Sequence, residues 1–298
     1  MDRILYPEGE GEPWRWSQGL LLCFTAFTTL LAGASLSPRL SDLGVGEFFR
    51  ELAREPALLV LGLPFSLSLL FILGVHEMGH FLTARRYGVR ATWPYFLPGP
   101  PFLSLGTFGA FIRLKGPLPH RRALMETGAN GPLWGFLAAL AVALLGLLAG
   151  PLGYRSPQDL GFNVGLPAAL WLLRGVVAGH WEWTLTFFEN PLLLSAWLGF
   201  FVQGLNLLPM GQLDGGHVVY AFFGRRHRLV SAGAAVLFAL LGIASPQWLL
   251  WVGLLIFVLG LRHPPTLDDG QPLGGGAALR GLLSLVVFLL CFVPVPFP

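Results

Sequence analysis

The chain has 298 residues, of which 54% are apolar and only 12% are charged, and its mean hydropathy is +0.65. A soluble domain carries about 25% charged residues, so this composition excludes an ordinary soluble protein and indicates an integral membrane protein surrounded by the lipid bilayer. The formal net charge of +3 comes with no tract of Lys and Arg, and the sequence therefore predicts no nucleic-acid partner.

The N-terminal part of the chain predicts a tail followed by a membrane anchor. Residues 1–16 are polar and acidic, and we interpret them as a cytoplasmic tail. The apolar run 19–36 is long enough to cross about 30 Å of hydrocarbon. Residues 17–55 are therefore predicted to contain the first transmembrane helix and a charged connector. Residues 32–34 resemble a signal-peptidase site, but the acidic leader favours a retained anchor.

The second apolar run, residues 56–86, carries the pattern HExxH at His76, Glu77 and His80. With about 3.6 residues per turn, His76 and His80 lie on one face of a helix, so both imidazoles can reach one metal ion. Glu77 lies about 100° further round the helix, close enough to act on a metal-bound water. This spacing of residue types is typical of a zinc site.

The segment that follows, residues 91–122, is rich in proline, glycine and aromatic residues, unlike a spanning helix or a soluble loop. Irregular backbone is tolerated at membrane depth only where protein or a water-filled cavity satisfies its hydrogen bonds. We interpret the segment as a re-entrant or membrane-surface hairpin. Within it, residues 103–112 interleave small and apolar residues, and an edge there is a candidate site for adding a substrate strand.

Further helices are predicted after the hairpin. A third span at residues 131–152 has Pro132 near its first turn, a position that proline tolerates. The moderately apolar segment 160–178 carries polar residues, and we predict that it does not span. A helix at residues 191–223 is predicted to break from Asn206 onward, where proline and several glycines occur.

The C-terminal segment, residues 224–298, predicts a helical hairpin at 229–244 and 247–261 and a last spanning helix at 279–293. The predicted fold is therefore an all-α polytopic membrane protein. It is a bundle of about six to seven transmembrane helices, with the hairpin placed after the HExxH helix. Residues 56–223 are its predicted catalytic membrane core.

The arginines predict the orientation of the chain. If the spans alternate in direction, most basic residues fall on loops that share one side, including those after the HExxH helix and after residue 223. Basic loops are enriched on the cytoplasmic side. We therefore expect a multi-pass protein whose N-terminus and active site both lie toward the cytoplasm.

Two carboxylates lie within apolar segments, at Glu77 and Asp214. A carboxylate in hydrocarbon is costly unless it is paired or bound to a metal, so such a residue is functional by default. A catalytic zinc takes three protein ligands and keeps one position for water. We expect Asp214 to join His76 and His80 on one Zn²⁺ per chain. The two helices meet only if they run in parallel, which requires segment 160–178 not to cross.

The surroundings of Asp214 extend this pattern. The later helix reads NxxPxxxLDG, with Asn206, Pro209, Leu213, Asp214 and Gly215 at the specified positions. Residues 106–110 and 130–132 add shorter matches. With the HExxH helix, these motifs resemble the site-2 protease family of intramembrane zinc metalloproteases. No stretch resembles the PDZ or CBS domains that some members carry, so a minimal form is expected.

The resemblance implies that His76, His80 and Asp214 ligate zinc, that Glu77 is the general base, and that Asn206 lies near the substrate carbonyl. The predicted reaction is hydrolysis, by zinc-activated water, of a peptide bond in or near the transmembrane helix of a membrane protein. The expected partners are a single-span transmembrane substrate and the lipid bilayer. Two alternatives stay open, a membrane metal-ion transporter and a catalytically silent homologue that binds membrane clients. Asn206 has the alternative of a plain helix-packing role.

The remaining polar residues in the core carry weaker expectations. Glu126 is predicted to pair with Arg121 or Arg122 at the start of the third span. His217 either supports the metal centre or is an ordinary interfacial histidine. Four other histidines are predicted to lie solvated in loops: His120, His180, His227 and His263.

Overall fold

The computed structural model describes residues 13–154, 164–179, 181 and 190–296, and this part of the chain is mostly helical. The first half contains helices α1 (Trp16–Ser35), α2 (Val45–Arg54), α3 (Leu63–Arg86), α4 (Pro101–Ser104) and α5 (Arg121–Ala149). The second half contains α6 (Ala168–Ala178), α7 (Pro191–Asn206), α8 (Asp214–Phe223), α9 (His227–Leu241), α10 (Gln247–Leu259) and α11 (Gly275–Cys291). Residues 1–12 of the predicted tail, residues 160–163 and His180 lie outside the described residues.

Three helical segments are long and apolar enough to cross a membrane: α1, the continuous segment Pro56–Arg86 that ends in α3, and α5. Four further apolar helices, α6, α7, α10 and α11, have 10 to 17 residues each. At about 1.5 Å per residue, helices of this length fall short of a straight crossing of about 30 Å. The total of six to seven transmembrane helices thus stays a prediction.

The third predicted span begins ten residues earlier than expected, since α5 starts at Arg121 rather than at residue 131. The His120 Nδ1 atom accepts a hydrogen bond from the Ala123 amide at 3.1 Å and caps the helix there. Pro132 therefore lies inside α5 and not in its first turn. Proline removes one hydrogen bond from the helix. Tertiary contacts hold this stretch, because the Asn130 side chain donates to the Thr83 hydroxyl at 2.8 Å.

The hairpin segment departs from an all-α fold. It contains four short strands: β1 (Arg90–Ala91), β2 (Tyr95–Pro98), β3 (Thr107–Phe111) and β4 (Leu114–Lys115). β1 pairs with β4 and β2 with β3, both antiparallel. The predicted extended stretch 103–112 is thus a strand only in its second half. The strand content escaped the all-α prediction because each strand is no longer than five residues.

The β2 and β3 hairpin is held against the first helix. The Thr28 hydroxyl of α1 donates a hydrogen bond to the Gly106 carbonyl at 2.6 Å, just before β3. Thr28 is itself buried, so this bond joins the hairpin to the helical bundle away from solvent. On the other face of the hairpin, Phe108 is 66% exposed.

The helix that was predicted at 191–223 is divided as expected. Asn190 caps α7 by accepting from the Leu192 amide, and Pro191 occupies the first turn. α7 ends at Asn206, the chain turns through residues 207–213, and α8 starts at Asp214. The turn therefore interrupts the predicted helix before Asp214. Asp214 stands at the beginning of a helix instead of along the length of one.

The core lies where α3, α5 and α7 pack together. Its largest fully buried side chains include Phe65 and Ile72 from α3 and Phe200 from α7. The outer faces of the same helices expose large apolar residues, among them Leu67 at 62% and Leu148 at 70%. Apolar surface of this kind on helices long enough to span is the pattern of a lipid-facing bundle.

Candidate metal centre

The two histidines of α3 converge as their spacing predicts. His76 Nε2 and His80 Nε2 lie 3.0 Å apart, and both side chains are buried. They stand in the second half of a helix that starts with Pro64 in its first turn and ends with Arg85 and Arg86. Proline is suited to the first helical turn, and basic residues interact favourably with the last one. The local sequence therefore fixes this helix around the histidine pair.

Asp214 completes a cluster of three candidate ligands. Its Oδ2 atom lies 3.5 Å from His76 Nε2 and 3.3 Å from His80 Nε2. The three potential ligand atoms all lie within 4.8 Å of one another. Nitrogen and oxygen ligands at about 2.0–2.1 Å from a tetrahedral ion lie about 3.3 Å from each other. The cluster therefore has the dimensions and donor types of a zinc site.

Hydrogen bonds on the far side of each ring fix which nitrogen carries the proton. His80 Nδ1 lies 2.7 Å from the Thr127 carbonyl, and His76 Nδ1 lies 2.7 Å from Gln203 Oε1. Both oxygens accept, so both Nδ1 atoms donate, and the Nε2 lone pairs face each other and Asp214. Two lone pairs and a carboxylate at this spacing require a positive charge between them. A divalent metal ion fits this requirement.

Glycines of α5 form the wall behind the cluster. A Cβ atom at Gly131 would overlap the His80 ring, and one at Gly135 would overlap the Gln203 amide. A Cβ atom at Gly128 would come within 2.6 Å of His217 Cβ. Glycine at these positions lets the α5 backbone approach the histidines directly.

The two residues predicted to act on substrate lie beside the cluster. Glu77 Oε1 is 3.9 Å from His76 Nε2, and the Glu77 side chain is buried. Asn206, at the last turn of α7, places Nδ2 3.4 Å from His76 Nε2. The structure thus brings together the five residues singled out in the sequence.

A family model described as peptidase family M50 matches residues 64–246, which is more than half of the chain and includes every residue of the cluster. The chain belongs to this family. The resemblance to site-2 proteases, first based on the two motifs, is confirmed.

Three plant relatives illustrate the similarity of this M50 chain. "Probable zinc metalloprotease EGY2, chloroplastic" from Arabidopsis thaliana is 32% identical over 310 aligned positions, covering 99% of this chain and 51% of the relative. The relative named EGY1 from the same plant is 29% identical, and the alignment covers 78% of this chain and 43% of the relative. The relative named EGY3 from this plant is 26% identical, and the alignment covers 94% of this chain and 49% of the relative. The chain spans about half the length of these relatives, and no solved structure matches it significantly.

Gln203 was missed at the sequence level although a signal for it existed. It is a fully buried polar residue in the apolar helix α7, one turn before Asn206. A polar residue in such a helix is a candidate functional residue by the same reasoning that selected Asp214. The Thr127 carbonyl has no comparable signal, because backbone groups carry no mark in the sequence.

A second polar chain leads from the cluster toward the surface. His217 Nδ1, one turn after Asp214, lies 2.6 Å from His263 Nε2, and His263 Nδ1 lies 2.6 Å from the Pro264 carbonyl. Burial lowers the pKa of His263, so this imidazole is neutral at pH 7 and its Nε2 accepts from His217. His227 is fully buried, at 1% exposure, so the prediction that it is solvated is wrong. His263 and His120 are half-buried, and His120 caps α5.

Proposed function

We propose that the chain is an intramembrane zinc metalloprotease that hydrolyses a peptide bond in or near the transmembrane helix of a membrane protein. The observation that carries the proposal is the convergence of His76, His80 and Asp214, with the Glu77 carboxylate beside them. Membership of peptidase family M50 and the zinc metalloprotease names of the relatives support it. Because those relatives are about twice as long, their activity is transferred here only as part of the proposal.

His76, His80 and Asp214 would hold one Zn²⁺. When bound, zinc supplies a Lewis acid that lowers the pKa of water to about 7 and polarises a carbonyl. Gln203 and Thr127 keep the two imidazoles in the tautomer that presents Nε2. Their contribution is therefore to fix the ligands before substrate arrives.

Glu77 is the proposed general base. Its carboxylate accepts a proton from the attacking water as the new carbon–oxygen bond forms at the scissile carbonyl. It then delivers that proton to the amine nitrogen as the carbon–nitrogen bond breaks. Asn206 Nδ2 donates a hydrogen bond to the oxygen on which negative charge develops. Its position next to His76 supports this role.

An extended substrate segment is proposed to bind at β3. A peptide bond in a helix is protected by its own hydrogen bonds, so the substrate must unwind before attack. Among the described strands, β3 pairs only with β2, which leaves its second edge for an added strand. Phe108→Pro removes a backbone donor from β3 and should impair cleavage while zinc stays bound. Phe108→Ala, which keeps the backbone donor, is the matched control.

The site is proposed to open toward the cytoplasm. α3 ends in Arg85 and Arg86, and α8 is followed by Arg225 and Arg226, so both helices that carry metal ligands end in basic residues. Basic residues favour the cytoplasmic side of a membrane. Cysteines introduced at Arg86 and Arg225 should both react with a membrane-impermeant maleimide only from that side; labelling of either one from the opposite side contradicts this orientation.

Replacing Glu77 by Gln tests the function. A protease should lose cleavage but retain zinc, because the three ligands are intact, whereas a transporter or a silent client-binding protein should keep its activity. Membrane proteomics of cells with the wild type or Glu77→Gln should reveal a membrane protein whose soluble fragment disappears in the variant. His80→Ala is the control that should lose both zinc and cleavage. An unchanged fragment pattern under all growth conditions, with zinc still bound, would sink the protease proposal.

A further inference from the structure

A cavity of about 320 Å³ lies between the start of α9 and the loop that follows α10. Its lining is strongly basic and contains no carboxylate: Tyr220, Arg225, His227, Arg228, Arg262, His263 and Pro265. The three arginines come from two separate stretches of the chain, on either side of the hairpin formed by α9 and α10. The fold therefore gathers three positive charges at one opening.

Nothing in the described part of the chain neutralises these arginines. Arg225, Arg228 and Arg262 are exposed, and none of the ion pairs there involves them. The two nearest carboxylates along the chain have other partners. Asp269 accepts from the Tyr220 and Thr266 hydroxyls, and Asp268 accepts from the Gly270 amide and the Gln271 side chain. Asp269 lies behind the Tyr220 hydroxyl, but no carboxylate is among the lining residues, so the three arginines leave the cavity with an excess of positive charge.

The rear wall of the cavity is ordered by its own contacts. The Tyr220 and His263 rings stack with centroids 4.5 Å apart, and His227 packs against His263 at 5.5 Å. The Tyr220 hydroxyl is fixed by its 2.7 Å hydrogen bond to Asp269. The cavity therefore combines an ordered set of lining side chains with three arginines, unlike a run of basic residues scattered along a loop.

The cavity opens at one end of an apolar, exposed helix. α9 exposes Leu229 at 73%, Val236 at 60% and Leu240 at 58%, a surface suited to lipid tails. Phe223, next to the cavity, is 55% exposed. If this surface of α9 contacts lipid tails, a group that binds beside the first residues of α9 would lie at the level of the lipid headgroups.

We propose that this cavity binds a phosphate group, carried either by an anionic phospholipid or by a soluble phosphate compound. Arginine forms paired, charge-assisted hydrogen bonds with phosphate oxygens, and three arginines around one opening match a tetrahedral anion. Basic pockets between membrane helices bind anionic headgroups in the same way. The site is distinct from the metal centre, although His263 connects the two through His217.

The test uses two probes on the purified full-length chain. In the first arm, inorganic phosphate is titrated into the protein in detergent and followed by calorimetry. In the second arm, the protein is placed in nanodiscs of phosphatidylcholine with phosphatidylglycerol, and retained phosphatidylglycerol is counted by native mass spectrometry. The variants are Arg225→Gln, Arg228→Gln and Arg262→Gln. Arg226→Gln is the matched control, because Arg226 is equally exposed but does not line the cavity.

Each cavity variant should weaken binding about tenfold, because it removes hydrogen bonds between charged groups, while Arg226→Gln should change binding about twofold or less. Binding of phosphatidylglycerol alone supports a lipid ligand, and binding of phosphate alone supports a soluble compound. Either result supports the proposed phosphate site. An equal loss in Arg226→Gln would show a general effect of net charge and overturn the proposal. Absence of binding in both arms would overturn it as well.

Discussion

Replacing Gln203 by Leu should weaken zinc binding far more than it weakens the fold. Gln203 Oε1 accepts from His76 Nδ1 at 2.7 Å in a fully buried environment. In the metal-free variant the His76 ring can turn to regain a partner, but zinc requires Nε2 to face Asp214 and leaves the Nδ1 proton unpaired. A buried unpaired donor costs about 1–3 kcal/mol, and about 1.4 kcal/mol is a factor of ten in affinity. We therefore expect zinc affinity to fall about 10- to 100-fold.

The stability of the metal-free chain should change little in the same variant. Gln203 Nε2 is buried and has no hydrogen-bond partner among the described residues, so leucine also removes an unsatisfied group. Zinc affinity is measured by competition with a chromophoric chelator in detergent, and stability by thermal unfolding of the metal-free protein. Gln212→Leu is the control, since Gln212 is exposed in the turn before Asp214. Unchanged zinc affinity in Gln203→Leu would refute the positioning role of this residue.

Two further substitutions probe the walls of the site. Gly131→Ala places a methyl group on the His80 ring and should abolish stoichiometric zinc retention. Gly233→Ala is the control, because its methyl group meets no atom within 4 Å and zinc should be fully retained. Metal analysis after gel filtration measures the zinc content of both variants. Glu126→Gln replaces the buried carboxylate that accepts from Arg122 at 3.2 Å, the pairing predicted from the sequence, and from Arg280 at 3.3 Å. It should lower the free energy of unfolding by roughly 1–3 kcal/mol, seen as a reduced thermal midpoint. An unchanged midpoint would show that the charge of Glu126 contributes nothing to stability.

The cluster of candidate metal ligands could be predicted from two features of the sequence, the spacing of the histidines and the apolar surroundings of Asp214. His76 and His80 are one helical turn apart, so their convergence needs no knowledge of the tertiary fold. Asp214 is 134 positions beyond His80 in the sequence, yet a carboxylate in an apolar segment has few alternatives to a metal or a partner. The high cost of burying a carboxylate therefore identified Asp214 as a candidate ligand without any knowledge of its contacts.

The parts of the fold that sequence reasoning missed depend on distant contacts. Pro132 was placed at a helix start because proline is most often tolerated there, but α5 continues through Pro132, and Asn130 beside it is hydrogen-bonded to Thr83 of α3. His263 was expected in solvent because its loop is polar, but its ring contacts His217, which lies 46 residues earlier in the chain. No local pattern predicts such a pairing.

The glycines of α5 explain how a metal centre can be enclosed in an apolar bundle. Gly128, Gly131 and Gly135 recur at intervals of three and four residues, so they form one face of the helix. That face contacts the histidine rings with backbone, and the Thr127 carbonyl reaches His80 directly. A side chain on this face would separate the carbonyl from the ring and leave a buried imidazole N–H without a partner. The small residues thus supply the polar backbone that the ligands need, in a bundle whose side chains offer little polarity.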